Sequence, residues 1–352
     1  MRRGSLKKFF ALVFFAITLT AIGISFRAAA DPSESKPPLQ TITAYTTLPV
    51  ETVSVLSQAY ESENRVRVNF VPMSPDETLT RLDEISAGTI SDEVDLILAD
   101  RNVLKKANEK NFLRPYISQF NDEVRANFKD ENGFWTGTWY DPIVFCANQE
   151  YLNSIARIPD AWQDLAREES IRIGITDFLS ADASANLMFQ MISQFGDAAA
   201  YQILGSIHPK VVQYAKFLSN PVRQAGMGEV DIAIAVESES VRYMRNGYPV
   251  RIIYPTDGTG YMLYGTAVTS FDNDSNSILA AEKFCDWLLS DKAQAVLQQN
   301  DFYFISTNPS TIAYKTFAGK NLVLFEQLPE FSKEEENAFL DHWVKEIRFK
   351  SL

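Results

Sequence analysis

The chain has 352 residues, with 33 Lys and Arg against 45 Asp and Glu and a net charge of −12. That balance disfavours nucleic acid and anionic lipid as partners, since both are bound through clustered positive charge. Two cysteines exclude a disulfide-dense scaffold, and the length exceeds what one hydrophobic core organises, so two lobes are expected.

Residues 1–30 read as an export signal. Arg2, Arg3, Lys7 and Lys8 precede an uncharged stretch from Phe9 to Phe26, and Ala28, Ala29 and Ala30 supply the small residues of a cleavage site. An uncleaved anchor is the competing reading, because the stretch approaches the ~18 residues of a spanning segment. Thr18, Thr20, Gly23 and Ser25 dilute its apolar character and favour cleavage. Removing the segment takes five of the 33 basic residues and none of the 45 acidic ones, which moves the net charge from −12 to −17. Residues 31–39 are polar and proline-bearing, a tether.

Strand and helix signals then alternate. Residues 41–46 read as a strand, and 49–62 as a helix with Val50, Val53, Leu56, Ala59 and Tyr60 at helical spacing. Val66, Val68 and Phe70 alternate as a second strand. Ser74 is placed to cap a helix over 75–85, and 94–98 is a short apolar run ended by Asp100. This βαβαβ order implies a parallel sheet with helices on both faces. Residues 134–147 look extended, with Asp141-Pro142 excluding helix. A second α/β unit follows: helix 159–167, strand 171–175, helix 185–195, strand 211–214, helix 222–227 and strand 230–236. Residues 267–269 read as a strand returning to the first lobe, 278–299 as one long amphipathic helix, and 333–347 as the last helix. Cys146 and Cys285 sit among apolar neighbours and read as two buried thiols, with a single bridge as the alternative in an oxidising compartment.

Several segments carry a family resemblance. They are Ala44-Tyr45-Thr46-Thr47-Leu48-Pro49, Pro159-Asp160-Ala161-Trp162-Gln163-Asp164-Leu165, the stretch from His208 to Tyr214, Gly228-Glu229-Val230-Asp231-Ile232-Ala233-Ile234, Gly258-Thr259-Gly260-Tyr261, and the stretch from Ala280 to Ser290. In this order they resemble the type II periplasmic solute-binding proteins of ABC transporters, in the branch that binds ferric iron, phosphonates or phosphate esters. The resemblance implies an α/β fold of two lobes, each a mostly parallel sheet flanked by helices, joined by crossing hinge strands. It implies lobe 1 over 40–140 and 266–330, lobe 2 over 141–265, a C-terminal helix over 331–352, and a monomer that delivers a solute to a membrane permease. Ferric members use adjacent tyrosines; the equivalent segment here is Val236-Glu237-Ser238-Glu239-Ser240, and no two tyrosines are adjacent anywhere in the chain. With only His208 and His342, a histidine-rich metal site is not expected either.

Parallel sheets bind ligands beyond the carboxyl ends of their strands, where helix N-termini point outward. That rule singles out Thr46 and Thr47 after the first strand, Asp100 with Arg101 after the third, Glu237 and Ser238 after the strand ending at 236, and Tyr261 with Tyr264 beyond a glycine turn. Trp139, Tyr140 and Asp141 lie at the expected crossing, as an aromatic wall. Ser180 and Ser184 resemble the hydroxyl-bearing turn that grips anions in relatives, although Asp182 stands where glycine is usual, which argues against a strongly anionic ligand. Lys216 and Ser219 flank Phe217 and Leu218, bulkier than the residues found there in relatives. Each of these has a structural alternative, capping for the threonines and core packing for the aromatics.

No phosphate-gripping G-x-x-x-x-G-K-[ST] loop or nucleophile elbow is present, so neither an enzyme nor a cofactor is expected. The expected role is an extracytoplasmic binding protein of an ABC importer for a small polar organic solute, with phosphorylated and phosphonate-like molecules among the candidates. The alternatives are an extracytoplasmic sensor for a membrane histidine kinase, a polyamine or cation binder, and a ferric-iron binder.

Overall fold

The computed structural model describes residues 40–349, except 272 and 320; the segments expected to be an export signal and a tether lie outside the described residues. The first strand, β1 (Gln40–Thr46), pairs in parallel with β2 (Val66–Pro72) and β3 (Leu96–Asp100), as the βαβαβ order requires. Helix α1 (Val50–Asn64) joins β1 to β2 and buries Val53, Leu56 and Tyr60, three of the five residues at helical spacing. Helix α2 (Pro75–Ser86) starts as its sequence predicts, with the Ser74 hydroxyl accepting the Glu77 N–H at 3.2 Å.

The run ended by Asp100 passes straight into α3 (Arg101–Glu109), a helix absent from the expectations above. Asp100 caps it, accepting the N–H groups of Asn102 and Val103 at 3.0 and 3.2 Å. After the short β4 (Leu113–Arg114) comes the longest strand, β5 (Thr136–Asn148), buried along all 13 residues. Helices α4 (Gln149–Ser154) and α5 (Trp162–Arg167) lead to β6 (Ile173–Thr176), followed by α6 (Asp182–Phe195) and α7 (Asp197–Ile207). Strand β7 (Val211–Ala215), α8 (Ser219–Gly226), β8 (Ile232–Val236) and α9 (Glu237–Arg245) complete the second α/β unit, with β6 parallel to both β7 and β8.

Strands β9 (Val250–Ile253) and β10 (Tyr261–Thr269) run antiparallel to β5, so the sheet is mixed. The expected helix over 278–299 is two helices, α10 (Ser275–Leu288) and α11 (Asp291–Gln299), broken at Leu289-Ser290. Strand β11 (Ile305–Ser306) pairs with β5, α12 (Ile312–Phe317) follows, and α13 (Lys333–His342) continues into a π-helical turn, Trp343–Arg348.

The sheet order β2-β1-β3-β10-β5-β8-β6-β7 makes β5 the spine of two lobes. Its first half pairs with β10 and β11, and its second half with β8 and β9. Separate cores follow. One gathers Trp162, Met188, Ile232 and Trp343, another Leu56, Trp139 and Phe284, and a third Leu104, Phe128 and Tyr140. Among the described residues no helix is long and apolar enough to cross a membrane.

Cys146 and Cys285 are free and buried in different cores, and burial pushes both thiols up to about 12. Neither forms the bridge that stood as the alternative. Both thiols are expected to react with Ellman's reagent only after denaturation, and the melting temperature to be the same with and without reductant. A reductant-sensitive melting temperature would contradict this placement.

Candidate functional site

Four helices begin around one cleft of ≈ 420 Å³. From the first lobe, α2 brings Asp76, and α3 brings Asn102 and Lys106 behind the strand-end residue Asp100. Opposite them stand Ser180 and the first turns of α6, with Asp182 and Asn186. Helix α13 closes a third side with Lys333, Glu336, Asn337 and Leu340.

The four N-termini are not equivalent. Those of α2, α3 and α13 are satisfied by Ser74, Asp100 and Ser332, whereas α6 has Ala181 before it and no side-chain cap. Its first N–H groups therefore end at the cleft with the positive end of the helix dipole. Asp182, exposed, and Asp100, buried, add negative charge nearby. Burial, and to a smaller degree Asp182, push the Asp100 carboxyl above its ordinary range, although the Asn102 and Val103 N–H groups oppose the shift.

The expected residues fall into distinct groups. Asp100 and Ser180 line the cleft, and the Thr47 hydroxyl lies 3.5 Å from the Asp100 carboxylate and accepts the Asp100 N–H at 3.2 Å. The Thr46 hydroxyl is turned to its own chain, accepting the Leu48 N–H at 3.1 Å. Ser184 is buried within α6, while Lys216 and Ser219 are outside the cleft lining, with the Lys216 ammonium 5.6 Å from the Phe217 ring centroid. Trp139 and Tyr140 are fully packed on opposite faces of β5. Trp139 stacks on Phe304 at 5.8 Å, and Tyr140 lies between Phe128 and Tyr261. Tyr261 lines, together with Arg101, a smaller recess that shares Asp100, Asn102, Asn186 and Met262 with the cleft.

Asp141 and Ser238 form a buried lock. The Asp141 carboxylate accepts the Ser238 N–H at 2.9 Å and its hydroxyl at 2.5 Å, filling the N-terminus of α9 with a charge from the crossing strand. Next to it Glu237 accepts the Tyr254 hydroxyl at 2.8 Å, while its other oxygen is buried without a partner. Burial lifts Glu237 to about 8 and Asp141 to about 7, against ordinary values of 4.5 and 3.8. Both folded values are raised, so the folded state binds these protons more tightly. The stability they supply is complete below about pH 4 and is lost as pH rises through about 7 and 8. Glu237→Gln removes the Glu237 share. Its melting temperature relative to the wild type is expected to climb by roughly 2–4 °C between about pH 5 and pH 9, the shift produced by ~1 kcal/mol. A pH-independent difference would contradict the assignment.

Residues that strand-end reasoning did not supply are Asn102, Lys106 and Asn186, from helical first turns, and Asn337 from α13. The first two become visible once Asp100 is read as a cap. Helix α13 carries no local signal for its position. It is rooted in the second lobe, where Phe339 meets Phe189, Trp343 meets Phe178 at 4.9 Å and Arg348 pairs with Asp177 at 2.5 Å. It also reaches the first lobe through Lys333 and Asp76, 3.6 Å apart, and Glu330 just before it meets Lys105 at 2.5 Å. These exposed pairs are each worth about 0–1 kcal/mol, so the link across the cleft is weak and screened by salt. Among the described residues no cluster of three or more His, Cys, Asp or Glu could hold a metal ion.

Comparisons with known proteins agree with this geometry. Residues 91–315 match the bacterial extracellular solute-binding protein family. An uncharacterized protein of Haemophilus influenzae is 28% identical over 254 residues, 69% of this chain and 72% of that protein. The periplasmic binding protein AfuA of Actinobacillus pleuropneumoniae, solved with exogenous fructose-6-phosphate bound, superposes with a TM-score of 0.68 at 20% identity, covering 88% of this chain and 99% of that one. Iron-bound HitA of Pseudomonas aeruginosa gives 0.67 at 16% identity, covering 86% and 98%. Helix α13 lies beyond the matched segment. With a matched segment that spans most of both lobes and a two-lobed periplasmic-binding fold built around one cleft, the chain belongs to the bacterial extracellular solute-binding protein family, whose members are binding proteins of ABC transporters.

Proposed function

We propose that this protein captures a small polyhydroxylated solute bearing a phosphate- or phosphonate-like group and delivers it to an ABC permease. The observation that carries the cargo class is the uncapped N-terminus of α6 at the cleft, beside the Ser180 hydroxyl, where free N–H groups suit an anion. Lys106 on the facing helix adds a positive charge. The carboxylates and amides around it, Asp100, Asp182, Asn102, Asn186 and Asn337, suit the hydroxyls of the remainder, because each offers an acceptor. A cleft of ≈ 420 Å³ falls within the usual size of small-molecule sites. In this reading the lobes divide near residues 140 and 265 and close about the paired β5 and β10, completing the contacts only when shut. AfuA, with fructose-6-phosphate bound, supports the class by likeness of fold alone.

The test is a thermal-shift screen of the mature protein against fructose 6-phosphate, fructose, a phosphonate, putrescine and ferric citrate. A ligand that binds only the folded state raises the melting temperature. The phosphorylated sugar or the phosphonate is expected to raise it where fructose does not. A rise with putrescine or ferric citrate and none with a phosphorylated compound would overturn the cargo class.

A further inference from the structure

We propose that Asp182 and Glu336 make the cleft a charge filter: it admits a solute whose acidic group carries a single negative charge, as in a sulfate ester, sulfonate or phosphodiester, and disfavours a doubly charged phosphate monoester. This rests on the acidic group sitting at the first turn of α6, as proposed above. Asp182 is the first residue of that helix and is exposed at the cleft, so its carboxylate stands beside the same free N–H groups. Glu336 lines the cleft from α13 with a side chain 15% exposed.

The charges around that turn are unbalanced. Four carboxylates line the cleft, those of Asp76, Asp100, Asp182 and Glu336, against the ammonium groups of Lys106 and Lys333, a formal balance of −2. Lys333 is divided between Asp76 at 3.6 Å and Glu336 at 3.9 Å. The Glu336 carboxyl lies in the field of all four helices. Burial pushes it above its ordinary range, Lys106 and Lys333 oppose that shift, and Asp76 and Asp182 add to it. Asp182 acts on Asp100 in the same sense.

A singly charged group takes the free N–H groups, the Ser180 hydroxyl and the Lys106 ammonium as donors. A second charge on the same group gains no donor, because the other ammonium is already shared by two carboxylates, and it meets the like charges of Asp182 and Glu336. Asp182 is open to water, so the penalty is at the weak end for a neighbouring like charge, about tenfold in affinity. An acidic residue in a first turn also suits the helix dipole whatever the cleft binds. Loss of that structural role affects all ligands of the site alike, so a ratio of two affinities isolates the filter.

Calorimetric titration of the mature protein at about pH 8 with fructose 6-sulfate and fructose 6-phosphate tests this, since a phosphate monoester loses its second proton near a pKa of ~6 while a sulfate ester stays singly charged. The sulfate is expected to bind about tenfold tighter. Asp182→Asn is expected to bring the two within about threefold, and Glu336→Gln to move the ratio the same way. Asp197→Asn, at the exposed first residue of α7 and outside the cleft lining, is expected to leave the ratio unchanged. A phosphate ester bound as tightly as the sulfate by the wild type, a ratio that Asp182→Asn does not move, or one that Asp197→Asn moves as far, would overturn the filter and leave the cargo class standing. Binding of neither ester would overturn the cargo class, and the filter with it.

Discussion

Replacing Trp343 with alanine is expected to destabilise the protein by about 3–5 kcal/mol, the usual cost of truncating a fully packed indole. Trp343 is 1% exposed, lies edge-on to Phe178 at 4.9 Å, and also meets His208 and Tyr214. It follows α13 directly, so the same change loosens the third wall of the cleft. Lys333→Ala, at the exposed end of that helix, removes only surface ion pairs and is expected to change stability by less than about 0.5 kcal/mol. Urea unfolding of the two variants checks the contrast. A Trp343→Ala loss no larger than that of Lys333→Ala would mean that the C-terminal segment is not part of the folded core.

Gly265→Ala is expected to cost at least ~1–3 kcal/mol, because overpacking at this site meets backbone atoms, which cannot yield as side chains do. A Cβ there would lie 2.5 Å from the Thr136 carbonyl oxygen and 2.9 Å from the Gly137 Cα. Gly265 faces Gly137 across the paired β10 and β5, beside a bulge between Tyr264 and Gly265. The two chains approach closely where both lobes share their strands. Gly205→Ala provides a control of opposite sign. It lies inside α7, where a Cβ meets nothing nearer than Ile347 at 3.8 Å, so alanine is expected to stabilise by about 0.4–1 kcal/mol. Denaturant midpoints decide both, and a neutral Gly265→Ala would contradict the close crossing.

The strands were legible because their side chains alternate or run apolar, and β1, β2, β6 and β8 fall within two residues of their predicted bounds. Helices that directly follow a strand were harder. Asp100 ends an apolar run and looks like a loop residue, yet its carboxylate caps α3. Helix α9 reads Glu-Ser-Glu-Ser-Val-Arg-Tyr-Met-Arg and buries only Glu237, Ser240 and Val241, too few apolar residues to mark a stripe. Helices α10 and α11 merged in the sequence because buried positions continue on both sides of Ser290, where the chain turns. The first lobe's share of the cleft followed from the strand-end rule through Asp100, and Ser180 came from the family resemblance. Asn337 had no local signature, since its place depends on Phe339 and Trp343 packing into a core built more than a hundred residues earlier.

The most direct test of the account is an X-ray structure of the mature protein crystallised with the phosphorylated solute that most raises its melting temperature. Electron density for the solute is predicted in the cleft bounded by Asp100, Ser180 and Asn337, with its phosphate at the first turn of α6 and the two lobes closed over it. An empty cleft, or a solute bound elsewhere on the surface, would contradict capture between the lobes.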